Sequence, residues 1–526
     1  MRSALLAAAG VAAIAVGGAA LAQPQNTGTA PRSQTQAFVP NPARAPAATT
    51  PPAAPVDYGR EQTLRDALVR TYQTNPTLMA ERQSLRQRDE DVDIARAAGR
   101  PQADVSAQVN RDIYTRHIIG GNGADMSVTG RISLPLYSGG RVRNSVRAAN
   151  TRVEAGRADL RATEGDLFTE AVAAYMDVIR DRSIVQLNQN QVRVLETNLQ
   201  ATRDRFEVGD LTRTDVAQSD ARLALARSQL SIAEGRLRAS EENYRRVIGE
   251  NPEDLQPPPH LPSLPGTDEQ ATQIALANNA DLASIAAQAR AAGYDVRVAR
   301  GARLPTISAN STTTYFDRLG TGVAGVNGVG LDVDNTTSSG VGLSLTMPLY
   351  QGGAAASRVR RAEAVRGELL ETAVAVERLV ISNTNAAFAN YRAALQAIES
   401  NEIAVAANTL ALEGTRAEQT VGTRNVLDVL NAEQELLNSQ VLLVTARRDA
   451  YVAGFQLLNA MGQAEAEDLN LDGIGPLYDP TVNYNRYNNN WSDWDDGPRI
   501  RPSSTRTAPP NNNSPVTEPP VTVSPQ

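Results

Sequence analysis

Apolar and polar side chains alternate along residues 101–135. Ala103, Val105, Ala107, Val109 and Ile113 take one parity, and Asp104, Ser106, Gln108, Asn110 and Asp112 the other. After an interval over 114–124, Met126, Val128, Ile132 and Leu134 alternate with Asp125, Ser127, Thr129, Arg131 and Ser133. A period of two separates the sets onto opposite faces of a strand. The spacing therefore predicts two strands of about 10 residues, the length a tilted membrane-crossing strand requires. The scheme returns where Val341, Leu343, Leu345 and Met347 alternate with Gly340, Gly342, Ser344 and Thr346, and more weakly from Ile307 to Tyr315, with a Gly-, Asn- and Thr-rich loop between Asp317 and Ser338. Arg111 breaks the apolar parity and belongs near an interface. A half-exposed hairpin in a water-soluble protein alternates in the same way, so context has to decide.

Around the strands the period becomes seven. Val146, Val153, Leu160, Leu167 and Ala174 recur at that step, as do Leu187, Val194, Ala201 and Val208 after a slip of phase. No proline interrupts Arg141 to Glu207, so these 67 residues predict one helix, about 100 Å long at 1.5 Å per residue. A returning stripe runs through Val216, Leu223, Leu230, Leu237 and Tyr244, and another through Val429, Leu436, Leu443, Ala450 and Leu457. Each pair predicts a long antiparallel coiled-coil hairpin, turning at Val208-Gly209-Asp210 and at Val421-Gly422-Thr423.

The chain is duplicated. Pro135-Leu136-Tyr137-Ser138-Gly139-Gly140 matches Pro348-Leu349-Tyr350-Gln351-Gly352-Gly353 at an offset of 213 residues. The same offset aligns Ala173-Ala174-Tyr175 with Ala386-Ala387-Phe388, Asp215-Val216 with Asp428-Val429, and Gly249 with Gly462. Asn75 pairs with Asn279 and Pro101 with Pro305 at an offset of 204. Proline clusters bound the copies. They predict a Pro/Ala/Thr-rich disordered linker over 23–57, repeats over 58–250 and 268–463, and a Pro-rich linker over 251–267. Beyond these come an equatorial/periplasmic segment over 464–482 and a disordered Asn/Pro/Ser-rich tail over 483–526. In each Pro-Leu-Tyr-x-Gly-Gly element, Pro135 or Pro348 is expected to end strand pairing. Gly139 and Gly140, or Gly352 and Gly353, then allow the turn into the helix.

Met1-Arg2, the apolar run Ala4 to Ala20 and the small-x-small site Ala20-Leu21-Ala22 form a signal peptide over 1–22. With no cysteine in the chain, a lipid-modified N-terminal cysteine is excluded. No later apolar run is long enough for a membrane helix, so any crossing falls to β-strands.

Composition narrows the chemistry. All 51 basic residues are arginine, cysteine is absent, and the two histidines are His117 and His260. Schiff-base, thiolate and P-loop chemistry need residues the chain lacks. Neither a metal nor a cofactor is implied, and an enzyme is not expected. With a net charge of −7 and arginines spread along the chain, nothing marks a nucleic-acid footprint.

Four membrane-length strands cannot close a barrel by themselves, because open edges in lipid would leave backbone groups unpaired. Identical copies must share the barrel, at least two of them. Helices much longer than a membrane is thick would carry it onward as a tube. The class is thus α+β: a duplicated strand–strand/long-helix repeat forming a transmembrane β-barrel that continues into a periplasmic helical coiled-coil barrel.

The run Val421-Gly422-Thr423-Arg424-Asn425-Val426-Leu427-Asp428-Val429-Leu430-Asn431-Ala432, with its echo Val208-Gly209-Asp210-Leu211-Thr212-Arg213-Thr214-Asp215-Val216, resembles the helix-turn signature of the TolC family of outer-membrane efflux and secretion channels. The duplicated Pro-Leu-Tyr-x-Gly-Gly elements share the resemblance, which covers roughly residues 58–463. It implies a homotrimer of twelve strands in outer-membrane lipid, and a periplasmic adaptor with an inner-membrane RND or ABC transporter docking at the tips, Val208 to Thr212 and Val421 to Thr423. It also implies a pore constriction at Asp428, with Asn431 where a second aspartate is common. Gate contacts would run between Arg424 and the pair Thr214 and Asp215, with Gln419 where a gate tyrosine can occur. The same residues have a plainer reading: Thr212 with Asp215, and Asn425 with Asp428, match capping boxes at helix starts. A secreted coiled-coil filament of flagellin type is the alternative function, and fits poorly with the duplication and the four strands.

Overall fold

A computed structural model describes residues 62–111, 124–319, 335–471, 477–487 and 490–497, with 502 and 504. The expected signal peptide, the 23–57 linker, His117 with most of its loop, and the chain after 504 lie outside the described residues.

In the first copy Thr63 caps α1 (Leu64–Thr74) through a capping box with Asp66, and Asn75 caps α2 (Pro76–Ala97), with Pro76 at the first helical position. Then come β1 (Gln102–Arg111), β2 (Ala124–Tyr137), α3 (Arg141–Glu207) and α4 (Arg213–Ile248). The second copy repeats the order with α5 (Asp268–Asn278), α6 (Ala280–Gly301), β3 (Thr306–Leu319), β4 (Asn335–Thr346), α7 (Ala354–Thr420) and α8 (Val426–Ala460). A short α9 (Val482–Tyr487) follows. The duplication extends to the backbone: Gly139, Gly140, Gly209 and Gly249 share positive φ with Gly352, Gly353, Gly422 and Gly462.

Cross-strand register sorts the sheet into two faces. Val105 lies opposite Gly130, Ala107 opposite Val128 and Val109 opposite Met126. Leu134 then lies opposite Ala309, and Ala309 opposite Leu343, so one face carries Val105, Val128, Ala309, Leu343 and their apolar neighbours. The other carries Asp104, Ser106, Gln108, Arg131, Ser133, Asn310 and Ser344. Arg111, opposite Ala124, is the last residue of β1. Two expectations shift. β3 and β4 extend into the predicted 317–338 loop, to Leu319 and from Asn335. Pro135 does not end β2, which runs on to Tyr137 through a bulge, whereas β4 stops before Pro348.

Among the described residues, sheet and helices alike form rows four elements wide with open edges. The sheet order is β1-β2-β3-β4. Beside the strands the helices pack in the row α2-α3-α6-α7, and toward the far end in the row α4-α3-α8-α7. The returning helices are thus half-length partners, with 36 and 35 residues against 67, and α2 and α6 flank the rest. α3, inside the row, buries 25 residues; the equally long α7, at the edge, buries only Val359, Val380, Thr384 and Leu412. The same asymmetry marks the turns. A Cβ on Gly139 would stand 2.5 Å from the Gly301 carbonyl oxygen, whereas one on Gly352 meets nothing within 4 Å. Gly139→Ala therefore combines a left-handed backbone with a clash and should cost over ~2 kcal/mol. Detergent-solubilised protein should show this as a lower urea midpoint than Gly352→Ala.

The seam of the tip hairpin differs from the predicted stripe. Val185, Asn188, Val192, Leu195, Leu199 and Thr202 are buried in alternating steps of three and four, while Leu187 and Val194 are half-buried and Val208 is 80 % exposed. Its row Val185-Val192-Leu199 is aliphatic at steps of seven, but the companion row Asn188-Leu195-Thr202 carries two polar side chains, so the half-buried Leu187 and Val194 present an equally apolar stripe in the sequence. Asn188 donates to the Ile184 carbonyl and Thr202 to that of Asn198, so both are satisfied within the helix.

A belt of buried side chains surrounds the middle of α3. Phe168, Val172 and Tyr175 pack with Leu78 and Leu85 of α2 and with Tyr244 and Ile248 of α4. The 251–267 linker is pinned to this belt. The Tyr175 hydroxyl lies 2.9 and 2.6 Å from the carbonyls of Gln62 and Gln256, and Gln62 forms a parallel bridge with Leu255. The stretch expected to be disordered from Asn483 is likewise held to α2 and α3 as far as Trp491. Arg82 lies between the Tyr72 and Tyr478 rings at 4.4 and 4.8 Å, and Tyr484 accepts from Arg96 at 2.9 Å. Asn/Pro-rich composition concealed these widely spaced aromatic anchors.

Glu164 on α3 accepts the Ala466 N–H at 2.6 Å, fastening the segment that follows α8. Burial pushes its carboxyl up to about 7. Folding therefore favours the protonated form: its contribution is full below the ordinary value of 4.5 and is lost as pH rises through about 7. Glu164→Gln should match the parent near pH 4.5 and exceed its stability at pH 8 by up to ~3 kcal/mol. Urea midpoints check this, and a variant less stable than the parent at pH 8 contradicts it.

Candidate functional site: the helix tips

The far ends of the hairpins bring the motif residues together. Beyond α3, Val208 and Gly209 turn the chain, and Thr212 starts α4. Asp215 N–H donates to Thr212 Oγ1 at 3.3 Å, and Thr212 N–H to Asp215 Oδ2 at 2.9 Å. The Thr212 hydroxyl also donates to Asp215 Oδ2 at 2.7 Å, and this bond, followed by that of the Thr212 N–H, holds the Asp215 carboxyl below its ordinary pKa. The second tip repeats the design: Asp428 N–H donates to Asn425 Oδ1 at 2.9 Å, and Asn425 N–H to Asp428 Oδ2 at 3.4 Å. Both aspartates therefore cap helices. Val208 and Val421 are 80 % and 74 % exposed, Leu211 is half-buried, and Gly209, Asp210, Thr212, Gly422 and Thr423 are exposed.

The gate pair does not form within the chain. Arg424 Nε donates instead to Glu418 Oε2 at 2.8 Å, six residues away across the same turn, while Asp215 is engaged by its own cap and Thr214 is exposed. Asn431 does more than occupy the place of an acid: its Oδ1 accepts from Arg222 of α4 at 2.8 Å and ties the two hairpins together.

A charged node missing from the motif sits one turn further in. Glu433, 3 % exposed, accepts from Asn198 of α3 at 3.1 and 3.2 Å and from Arg416 of α7 at 2.9 Å. It joins three helices beneath a cluster of Val192, Leu195, Leu199, Leu223 and Leu430. Its sequence signal is a carboxylate on the stripe Leu430-Glu433-Leu437.

Comparison with known proteins agrees with this architecture. The profile of the outer membrane efflux protein family matches residues 67–250 and 271–463, both copies. The chain belongs to the outer membrane efflux protein family. It is 34 % identical over 434 residues to outer membrane efflux protein BepC of Brucella suis, covering 82 % of this chain and 91 % of that one. To outer membrane protein TolC of Escherichia coli it is 29 % identical over 321 residues, 58 % of this chain and 62 % of TolC. The outer membrane channel CmeC of Campylobacter jejuni has the same fold, with a TM-score of 0.66 at 16 % identity over 81 % of this chain and 89 % of CmeC. The protein is thus a TolC-like channel of the outer membrane with a large periplasmic portion. Family membership removes the flagellin-type filament.

Proposed function

We propose that three copies of this efflux-family protein close into a single exit duct serving a tripartite efflux or type I secretion system. The observation that carries the proposal is the strip four elements wide. Every row ends in an open edge, β1 and β4 in the sheet and α2 or α4 and α7 in the helices. Joining β4 to the β1 of a second copy satisfies the edges that lipid cannot, and three strips supply twelve strands, within the range of closed outer-membrane barrels. The poorly covered α7 then meets α2 and α4 of the next copy.

The exposed tips, with Val208 and Val421 outermost, are the docking surface for a periplasmic adaptor and an inner-membrane RND or ABC transporter, whose engagement opens the duct. Three Asp428 carboxylates around the axis form the constriction and raise the local cation density, while Asn431, engaged by Arg222, adds no charge. Arg424 exchanges Glu418 for Thr214 and Asp215 of a facing hairpin when the gate closes.

Asp428→Ala should lower cation preference and divalent-cation block in planar-bilayer recordings of the assembled protein. Unchanged selectivity would leave Asp428 with its cap alone.

A further inference from the structure

From Asn483, whose amide reaches Asp89 Oδ2 at 3.2 Å, the C-terminal stretch follows α2 toward the strands. Tyr484 bonds Arg96 and Asn150, and the Asn490 carbonyl accepts from Arg100 at 2.8 Å, two residues before β1 begins. From Asp89 to Ala97, where α2 ends, is about 12 Å of helix, and Arg100 follows in the turn before β1. Here the Arg100 guanidinium lies 5.0 Å from the centre of the Trp491 ring, yet Trp491 is still 67 % exposed and Trp494 94 %. These are the chain's two tryptophans, and Trp491 stands at the end of α2 from which the apolar sheet face starts. The helix starts at this level are basic. Arg141, Arg143 and Arg147 precede any acid in α3, and Arg358, Arg360 and Arg361 precede any in α7, although the chain carries a net charge of −7. All six are exposed in the chain.

We propose that the Trp491–Trp494 stretch and this arginine collar bind the periplasmic leaflet of the outer membrane. The indole rings sit at the boundary between headgroups and acyl chains, and the arginines meet anionic phospholipid headgroups. Indole is amphipathic and concentrates at that boundary, and fixed positive charge is attracted to an anionic lipid surface. Asp493, Asp495 and Asp496 of the same stretch are exposed as well, Asp495 accepting from the Asn490 amide at 2.8 Å, so attraction to anionic headgroups falls to the six arginines of the collar and the stretch contributes its two indoles. The proposal rests on the barrel described above, which sets the height of the membrane.

Because the chain has two tryptophans, its indole fluorescence reports this stretch alone. The full chain is to be reconstituted in phosphatidylglycerol/phosphatidylethanolamine vesicles brominated high on the acyl chains. Emission should fall at least two-fold against unbrominated vesicles and fall less in brominated phosphatidylcholine. Trp491→Phe and Trp494→Phe should each leave the remaining indole quenched. Unquenched emission from protein that floats with the vesicles as a heat-modifiable oligomer overturns the proposal and leaves the barrel standing. Blue-shifted, unquenched emission that turns red when the oligomer dissociates assigns the stretch to a neighbouring copy instead. Equal quenching in phosphatidylcholine overturns the anionic headgroup, and protein that never inserts overturns the barrel together with the proposal.

Discussion

Val105→Arg is expected to abolish assembly in the outer membrane, while Ser106→Arg, one residue along, leaves it largely intact. Val105 lies near the middle of β1 on the apolar face, and Ser106 lies on the polar face. An arginine on the lipid side of a barrel costs ~2–4 kcal/mol at mid-membrane, whereas the lumen is wet and tolerates charge. Repetition in the proposed trimer multiplies the cost, so the heat-modifiable oligomer should vanish from outer-membrane fractions of the first variant and persist in the second. Equal loss in both would mean that the two faces do not differ in what they meet.

Arg416→Ala is expected to destabilise the tip half of the molecule by about 2–4 kcal/mol. The arginine is itself half-exposed, but its partner Glu433 is buried, and truncation strands that carboxylate with Asn198 as its only donor among the described residues. Leaving a buried charge uncompensated costs more than the pair contributes. Adding Glu433→Gln to Arg416→Ala should recover most of the loss, because a neutral amide can stay near Asn198 without a counter-charge. Hydrogen exchange at amides of α8 near Val429 and Leu430 reports the change. A double variant no better than the single one would show that Arg416 acts through packing.

The parts of the fold read most directly from sequence are those enforced by one strong local rule. Absence of proline over residues 141–207 gave the full extent of α3, and parity of apolar residues gave the faces of β1 and β2, because both rules act through the backbone. The duplication was legible because turns with positive φ demand glycine at matching places. The tip seam is less legible because Asn188 and Thr202 make one of its two rows polar, while Leu187 and Val194 offer a competing apolar row; each polar side chain satisfies itself on its own helix. The C-terminal stretch escaped for a related reason. Its hold comes from Tyr478, Tyr484 and Trp491, each set against an arginine of α2 or of the turn after it, nearly 400 residues earlier; composition averaged over Asn and Pro carries no trace of such pairs. At the tips both caps were readable from the spacing of Thr212 with Asp215 and Asn425 with Asp428. The partners of Arg424 and Asn431 were not, since Glu418 lies across a turn and Arg222 lies on the other hairpin.

The central claim is that one chain is a strip with open edges and that identical copies close it. Cysteine placed at Ala107 in β1 and at Val341 in β4, in a chain that has none of its own, tests this most directly, because these edge strands share no pairing within the chain. Oxidation of the full-length protein in outer membranes should give covalent trimers, with each single-cysteine variant remaining uncrosslinked. Crosslinking confined to one chain, whose mass stays that of a monomer, would contradict closure by copies.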